Sequence, residues 1–105
     1  MNAATPVGGT SLHWAAAQGF EELIDILLDN KVLLNVRNNY QQTPLIIALI
    51  GGHESCIEKL LKRRADVSLK DTQHKDALDY AKSSGASDRV VSLINKSIEK
   101  TKKPN

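Results

Sequence analysis

The chain has 105 residues, room for one domain, and its 41% hydrophobic and 25% charged residues are ordinary for a folded chain. Only four residues are aromatic, so the core must rest on Leu, Ile, Val and Ala. The longest apolar run, Leu45 to Ile50, is far short of the ~20 residues that cross a bilayer, and the opening "MNAATPVGG" lacks the basic-then-apolar order of a signal peptide. Cys56 is alone, which excludes an internal disulfide and suits a reducing setting, cytoplasmic or nuclear. The formal charge of +2 divides unevenly: residues 1–34 carry −3 and residues 59–105 carry +6.

The elements come in a 33-residue period. Leu12, Leu45 and Leu78 match, as do Ala15, Ala48 and Ala81, and Gly19, Gly52 and Gly85. Further along, Ile24, Ile57 and Val90 align, then Leu27, Leu60 and Leu93, then Leu28, Leu61 and Ile94. Each copy reads as two helices. The first is short, 11–18, 44–51 and 77–84, with Thr10, Thr43 and Asp76 placed as N-caps and Pro44 at the first helical position. Gly19, Gly52 and Gly85 stand where a helix leaves through a left-handed residue. The second helix spans 21–30, 54–63 and 87–100, with an apolar stripe of helical spacing that in copy one is Leu23, Ile24, Ile26, Leu27 and Leu28. Between copies, "LLNVRNNYQQ" and "DVSLKDTQHK" read as hairpin-like loops without a true sheet.

"TSLHWAA", "TPLIIAL" and "DALDYAK" resemble the T-P-L-H-x-A phrase of the ankyrin repeats, and "RADVSLKD" resembles that family's loop phrase. The resemblance implies an all-α ankyrin-repeat solenoid, three stacked helix-turn-helix units in a single domain over 1–105. Counting from the loop positions Thr5, Asn38 and Asp71, the units are 5–37, 38–70 and 71–103, the third doubling as a C-terminal cap. A unit cannot bury its helix pair alone, so stacking supplies the second wall. The middle unit, walled on both sides, can therefore afford "LIIALI". Copy three replaces Leu49, Ile50 and Gly51 with Lys82, Ser83 and Ser84, whereas copy one keeps Phe20, Leu23 and Ile26. That greasy first unit is expected either to end the stack or to continue a longer array.

Two departures from the family pattern matter. Lys31 and Arg64 stand where relatives have Gly, which predicts modest strain or a different turn, since left-handed backbone costs a non-Gly residue roughly 1–2 kcal/mol. The phrase's His survives only as His13, with Ile46 and Asp79 in the other copies.

Chemistry is not expected. His13, His53 and His74 occupy three different repeat positions and share no ligand geometry; Cys56 has no partner base at recognisable spacing. "IGGH" follows a helix, whereas phosphate cradles precede one. Trp14, Ile47 and Tyr80 share one position and read as stack contacts. The expectation is a non-enzyme without cofactor, metal or small-molecule substrate, monomeric, and binding a protein partner.

The resemblance places that contact on the concave side. By position it comprises Arg37, Asn39, Tyr40 and Gln42 in one loop, Lys70, Thr72, Gln73 and Lys75 in the next, and Ala17, Gln18, Ile50 and Gly51 along the helix edge. Tyr40 is the expected anchor, with Ile50 beside it, because aromatic residues are enriched among hot spots. Leu33 either adds apolar area at a turn or tucks under the loop. Two alternatives stand beside this one. The basic end, Lys62, Arg63, Arg64, Lys96, Lys100, Lys102 and Lys103, could contact nucleic acid or anionic lipid, or the repeats could regulate or target a larger enzyme.

Overall fold

The computed structural model describes residues 11–30, 32 and 34–101. The expectations for Thr5, Thr10, Lys31, Leu33, Lys102 and Lys103 lie outside them. Six helices follow in order: α1 Ser11–Gln18, α2 Glu21–Asp29, α3 Pro44–Gly51, α4 Glu54–Lys62, α5 Ala77–Ser84 and α6 Asp88–Thr101. Helices α1, α3 and α5 pack side by side in one layer, and α2, α4 and α6 in a second; each hairpin joins one helix of each layer. No strand forms among the described residues. The architecture is the all-α stack that the repeat pattern predicts.

Local chemistry sets the helix ends. Thr43 Oγ1 accepts from Ile46 N, and Pro44 follows at N1. Asp76 and Asp79 form a reciprocal capping box, each carboxylate accepting from the other's backbone N–H. Gly52 and Gly85 leave their helices at φ 73° and 75°.

The apolar run of α3 is explained by its surroundings, since this helix touches α1, α4 and α5. Leu45, Ile46, Ala48 and Leu49 are all buried, and only Ile50 at the far end is half exposed, at 50%. Ala15, Ala48 and Ala81 are each fully buried, so the first helices meet through methyl groups and lie close together.

The second helices are tied across units by ionic contacts. Lys59 Nζ lies 2.6 Å from Asp25, Arg63 Nη2 2.6 Å from Asp29, and Arg89 Nε 3.0 Å from Glu58. Ser87 Oγ donates to Glu54 Oε2 at 2.7 Å. Such partly exposed pairs fix register more than they add stability.

A different joint holds the first two hairpins. His53 Nε2 donates to Ala17 O at 3.0 Å, and its ring lies in a notch between two glycines. A Cβ on Gly51 would stand 2.7 Å from His53 Cδ2, and one on Gly19 2.7 Å from Nδ1. The second glycine of "IGGH" ends the helix; the first makes room for a neighbour's imidazole. Gly51→Ala should therefore lower the melting temperature, although alanine normally favours a helix by roughly 0.5–1 kcal/mol. In a His53→Ala background the same change should raise it. Thermal melts of the four proteins check the reversal of sign.

Arg64 adopts φ 68°, the left-handed conformation in which strain is expected. Its N–H still donates to Leu61 O at 2.9 Å. Arg64→Gly should raise stability by about 0.5–1 kcal/mol in urea unfolding, part of the backbone relief being offset by the lost cation at the α4 C-terminus.

Candidate docking surface

The two inter-unit loops are built alike. In the first, Asn38 N donates to Gln42 O at 3.0 Å and Gln41 N to Asn38 O at 2.9 Å. Thirty-three residues on, Asp71 N donates to Lys75 O at 3.0 Å and His74 N to Asp71 O at 2.9 Å. Each loop carries one non-glycine residue in left-handed backbone, Gln41 at φ 61° and His74 at φ 63°. Inside each, one side-chain oxygen accepts two backbone N–H groups. Asn38 Oδ1 takes Tyr40 N at 2.8 Å and Gln42 N at 3.0 Å; Asp71 Oδ1 takes Gln73 N at 2.8 Å and Lys75 N at 3.0 Å. Asn38 and Asp71 are accordingly buried. In the sequence these two residues mark the repeat, and their function as internal pins emerges only in the fold. The only signal for it was an Asn and an Asp at equivalent places in two loops, both able to form Asx turns.

The loops are then joined to each other. Thr72 N donates to Tyr40 O at 3.0 Å, and Arg37 Nη2 donates to Lys70 O at 3.1 Å. These contacts place Arg37, Asn39 and Tyr40 alongside Lys70, Thr72, Gln73 and Lys75, all of them exposed. Tyr40 is 52% exposed. Lys75 Nζ stands 5.7 Å over the Tyr80 ring.

Gln42 is half-buried and works inward. Its Oε1 accepts from Asn38 Nδ2 at 3.1 Å, and its carbonyl accepts from His13 Nε2 at 2.7 Å. Ile50, Gly51, Ala17 and Gln18 are exposed at the C-terminal ends of α3 and α1. Ile50 lies about 9 Å along the α3 axis from Pro44, at the end that turns into α4.

Asp71 anchors more than its own loop. Its Oδ2 accepts from the Tyr80 hydroxyl. Burial alone would raise its pKa, but the hydroxyl and the Lys75 and Gln73 N–H groups outweigh burial and hold the carboxyl below the usual range. Burial, and then the same contact, push the Tyr80 phenol up. Trp14, in the matching position of the first unit, is 37% exposed and meets Phe20 edge to face at 5.1 Å.

His13 is buried, and burial lowers its pKa, partly offset by the Gln42 carbonyl that holds its Nε2–H. A folded value below the unfolded one of about 6.5 means that the unfolded chain binds the proton more readily. The stability His13 allows is fully present above that value and declines as the pH falls below it. The melting temperature should therefore drop from about pH 7 to about pH 5, and drop less in His13→Gln, whose amide keeps a donor for Gln42 O.

Cys56 is buried, and burial followed by Glu21 raises its thiol pKa, the reverse of what a nucleophile needs. No group of three His, Cys, Asp or Glu side chains among the described residues is arranged to hold a metal. At the basic end, Arg63 is engaged by Asp29, while Lys62, Arg64 and Lys96 are exposed. No helix among the described residues is long and apolar enough to cross a membrane.

A family profile described as ankyrin repeats, three copies, matches residues 12–104. The chain is 36% identical over 74 residues to the E3 ubiquitin-protein ligase KEG of Arabidopsis thaliana, 70% of this chain and 5% of that one. It is 37% identical over 84 residues to the E3 ubiquitin-protein ligase XBAT33 of the same plant, 79% of this chain and 16% of that one. With inversin of Gallus gallus the identity is 39% over 62 residues, 57% of this chain and 6% of that one. The chain thus spans a small share of each relative, and what is shared is the repeat region. Repeats of this kind are non-catalytic surfaces for binding other proteins. Three matched copies on a two-layer helical stack place this chain in the ankyrin-repeat family.

Proposed function

We propose that the chain grips a protein segment along the joined loop tips, with Tyr40 as anchor. Arg37, Asn39, Lys70, Thr72, Gln73 and Lys75 form the polar surround, Ile50 is an apolar boundary, and Gln42 holds the first loop in shape from within. The observation that carries this reading is a half-exposed tyrosine on a loop whose backbone is pinned by Asn38 and tied to the next loop through Thr72. A rigid aromatic presented in this way loses little entropy on binding. The units bounded at 5–37, 38–70 and 71–103 are the frame, a choice supported by the matching way in which Asn38 and Asp71 each accept two loop N–H groups.

The test compares proteins captured from the source cell by the native chain and by Tyr40→Ala, Gln73→Ala. Partners of this surface are those lost with the double variant while its thermal melt is unchanged. If the two capture the same set, the surface is the wrong one.

A second reading, that the chain is the targeting part of a larger enzyme, is favoured by its similarity to ubiquitin ligases of which it spans 5% and 16%. An antibody raised to the chain should then detect a cellular protein far larger than 105 residues; a band at that size alone would end this reading.

A further inference from the structure

The two joints between second helices are charged differently. Between α2 and α4, Asp25 meets Lys59 and Asp29 meets Arg63, each nitrogen 2.6 Å from its carboxylate oxygen. Between α4 and α6, Glu58 is met by Arg89 at 3.0 Å, and one turn further along α4 the acid is gone. The 33-residue period puts Lys62 where the first joint has Asp29, and Lys96 where it has Arg63. Base therefore stands where acid would answer base, and both lysines line one depression of about 210 Å³. Like charges so placed repel, and neither lysine makes an ion pair or a side-chain hydrogen bond among the described residues.

The rest of the lining suits an anion. Its floor is Leu61, buried, and Leu93, partly buried. Ser97, half-buried on α6, contributes a hydroxyl without a hydrogen-bond partner among the described residues. Glu58 is the one acid in the lining, and Arg89 covers both its oxygens, Nε at 3.0 Å from Oε2 and Nη2 at 3.4 Å from Oε1. An incoming anion thus meets two unpaired ammonium groups and a hydroxyl, while the rim acid is already neutralised. Donors on two helices suit three acceptor oxygens about one centre, and two positive charges suit a dianion. A phosphate monoester has both properties, whereas a carboxylate offers one charge and two oxygens. The apolar floor can take the carbon that bears the ester.

We infer that this depression between α4 and α6 binds a phosphate monoester, with Lys62 and Lys96 closing on its oxygens from either side and Ser97 donating from α6. None of the loop-tip residues lines it, so the site is separate from the surface around Tyr40.

Glycerol 3-phosphate is the soluble probe, titrated into the native chain at an ionic strength held constant with sodium chloride, and followed by amide chemical shifts and thermal melts. The shifts should concentrate at Leu61, Lys62 and Ser97, and the melting temperature should rise. Dimethyl phosphate, which has one charge, should bind about tenfold more weakly. Lys62→Asp, at an exposed position, rebuilds the acid–base arrangement of the first joint. Without probe it should melt above the native chain, and its binding should weaken by about tenfold or more. Lys96→Gln should lose binding without that gain. Vesicles containing phosphatidic acid form a second arm. Capture by them that Lys62→Asp abolishes, with no response to glycerol 3-phosphate, assigns the ester to a lipid headgroup; saturable binding of glycerol 3-phosphate assigns it to a soluble compound. Silence in both arms overturns the inference. So does a response that chloride alone reproduces, or one that Lys62→Asp retains.

Discussion

Leu60→Ala should cost about 3–5 kcal/mol in urea unfolding, and Leu93→Ala about half as much. Both leucines fill the same repeat position, so side-chain chemistry and backbone context are matched. Leu60 is fully buried between α2 and α6, whereas Leu27 and Leu93 in the outer units are only partly buried. Truncating Leu60 removes the transfer energy of the lost methyl groups and opens a cavity walled on both sides, which the neighbours can only partly close. At the edges, relaxation and water fill the space at lower cost. A domain of this size is stable by roughly 5–15 kcal/mol, so the central change should leave the chain marginal at 37 °C. Equal losses at Leu60 and Leu93 would mean that the middle unit is not walled more closely than the end unit.

Asp71→Ala should cost roughly 2–4 kcal/mol, because it strips the acceptor from two backbone N–H groups and from the Tyr80 hydroxyl. Asp71→Asn should cost about 1 kcal/mol, since Asn38 shows an amide oxygen serving the same two-donor role in the preceding loop. The pH dependence separates charge from geometry. The folded carboxyl titrates below its unfolded value of about 3.9, so its stabilisation is complete above that value and is lost as the pH falls through the depressed one. Acid unfolding of the native chain should therefore be steeper than that of Asp71→Asn. Matching acid profiles would show that Tyr80 and the loop N–H groups do not favour the carboxylate.

The loop geometry also bears on binding. Tyr40 stays half exposed because Asn38 closes its loop and Thr72 fixes its carbonyl. A loss of Asp71 would thus loosen the second loop and, through Thr72, the first. Asp71→Ala should weaken any partner that Tyr40→Ala weakens, whereas Arg64→Gly, at the end of α4, should not.

The period and the residues around each helix end were enough to place all three first helices at 11–18, 44–51 and 77–84, and the second helices to within a residue or two. Thr43, Pro44, Asp76 and the exit glycines act within a single turn, so a short window holds everything they need. The apolar run of α3 could likewise be read as a helix walled on several sides. Tertiary structure alone decided the rest. It set His53 against Gly19 and Gly51, paired Asp25 with Lys59 and Asp29 with Arg63, and turned Gln42 inward. Each of these depends on the offset and rotation of one unit against the next. That register is fixed by the packing of whole helix faces, with Ala15, Ala48 and Ala81 setting how near they come, and no single stretch of chain contains both sides of the contact.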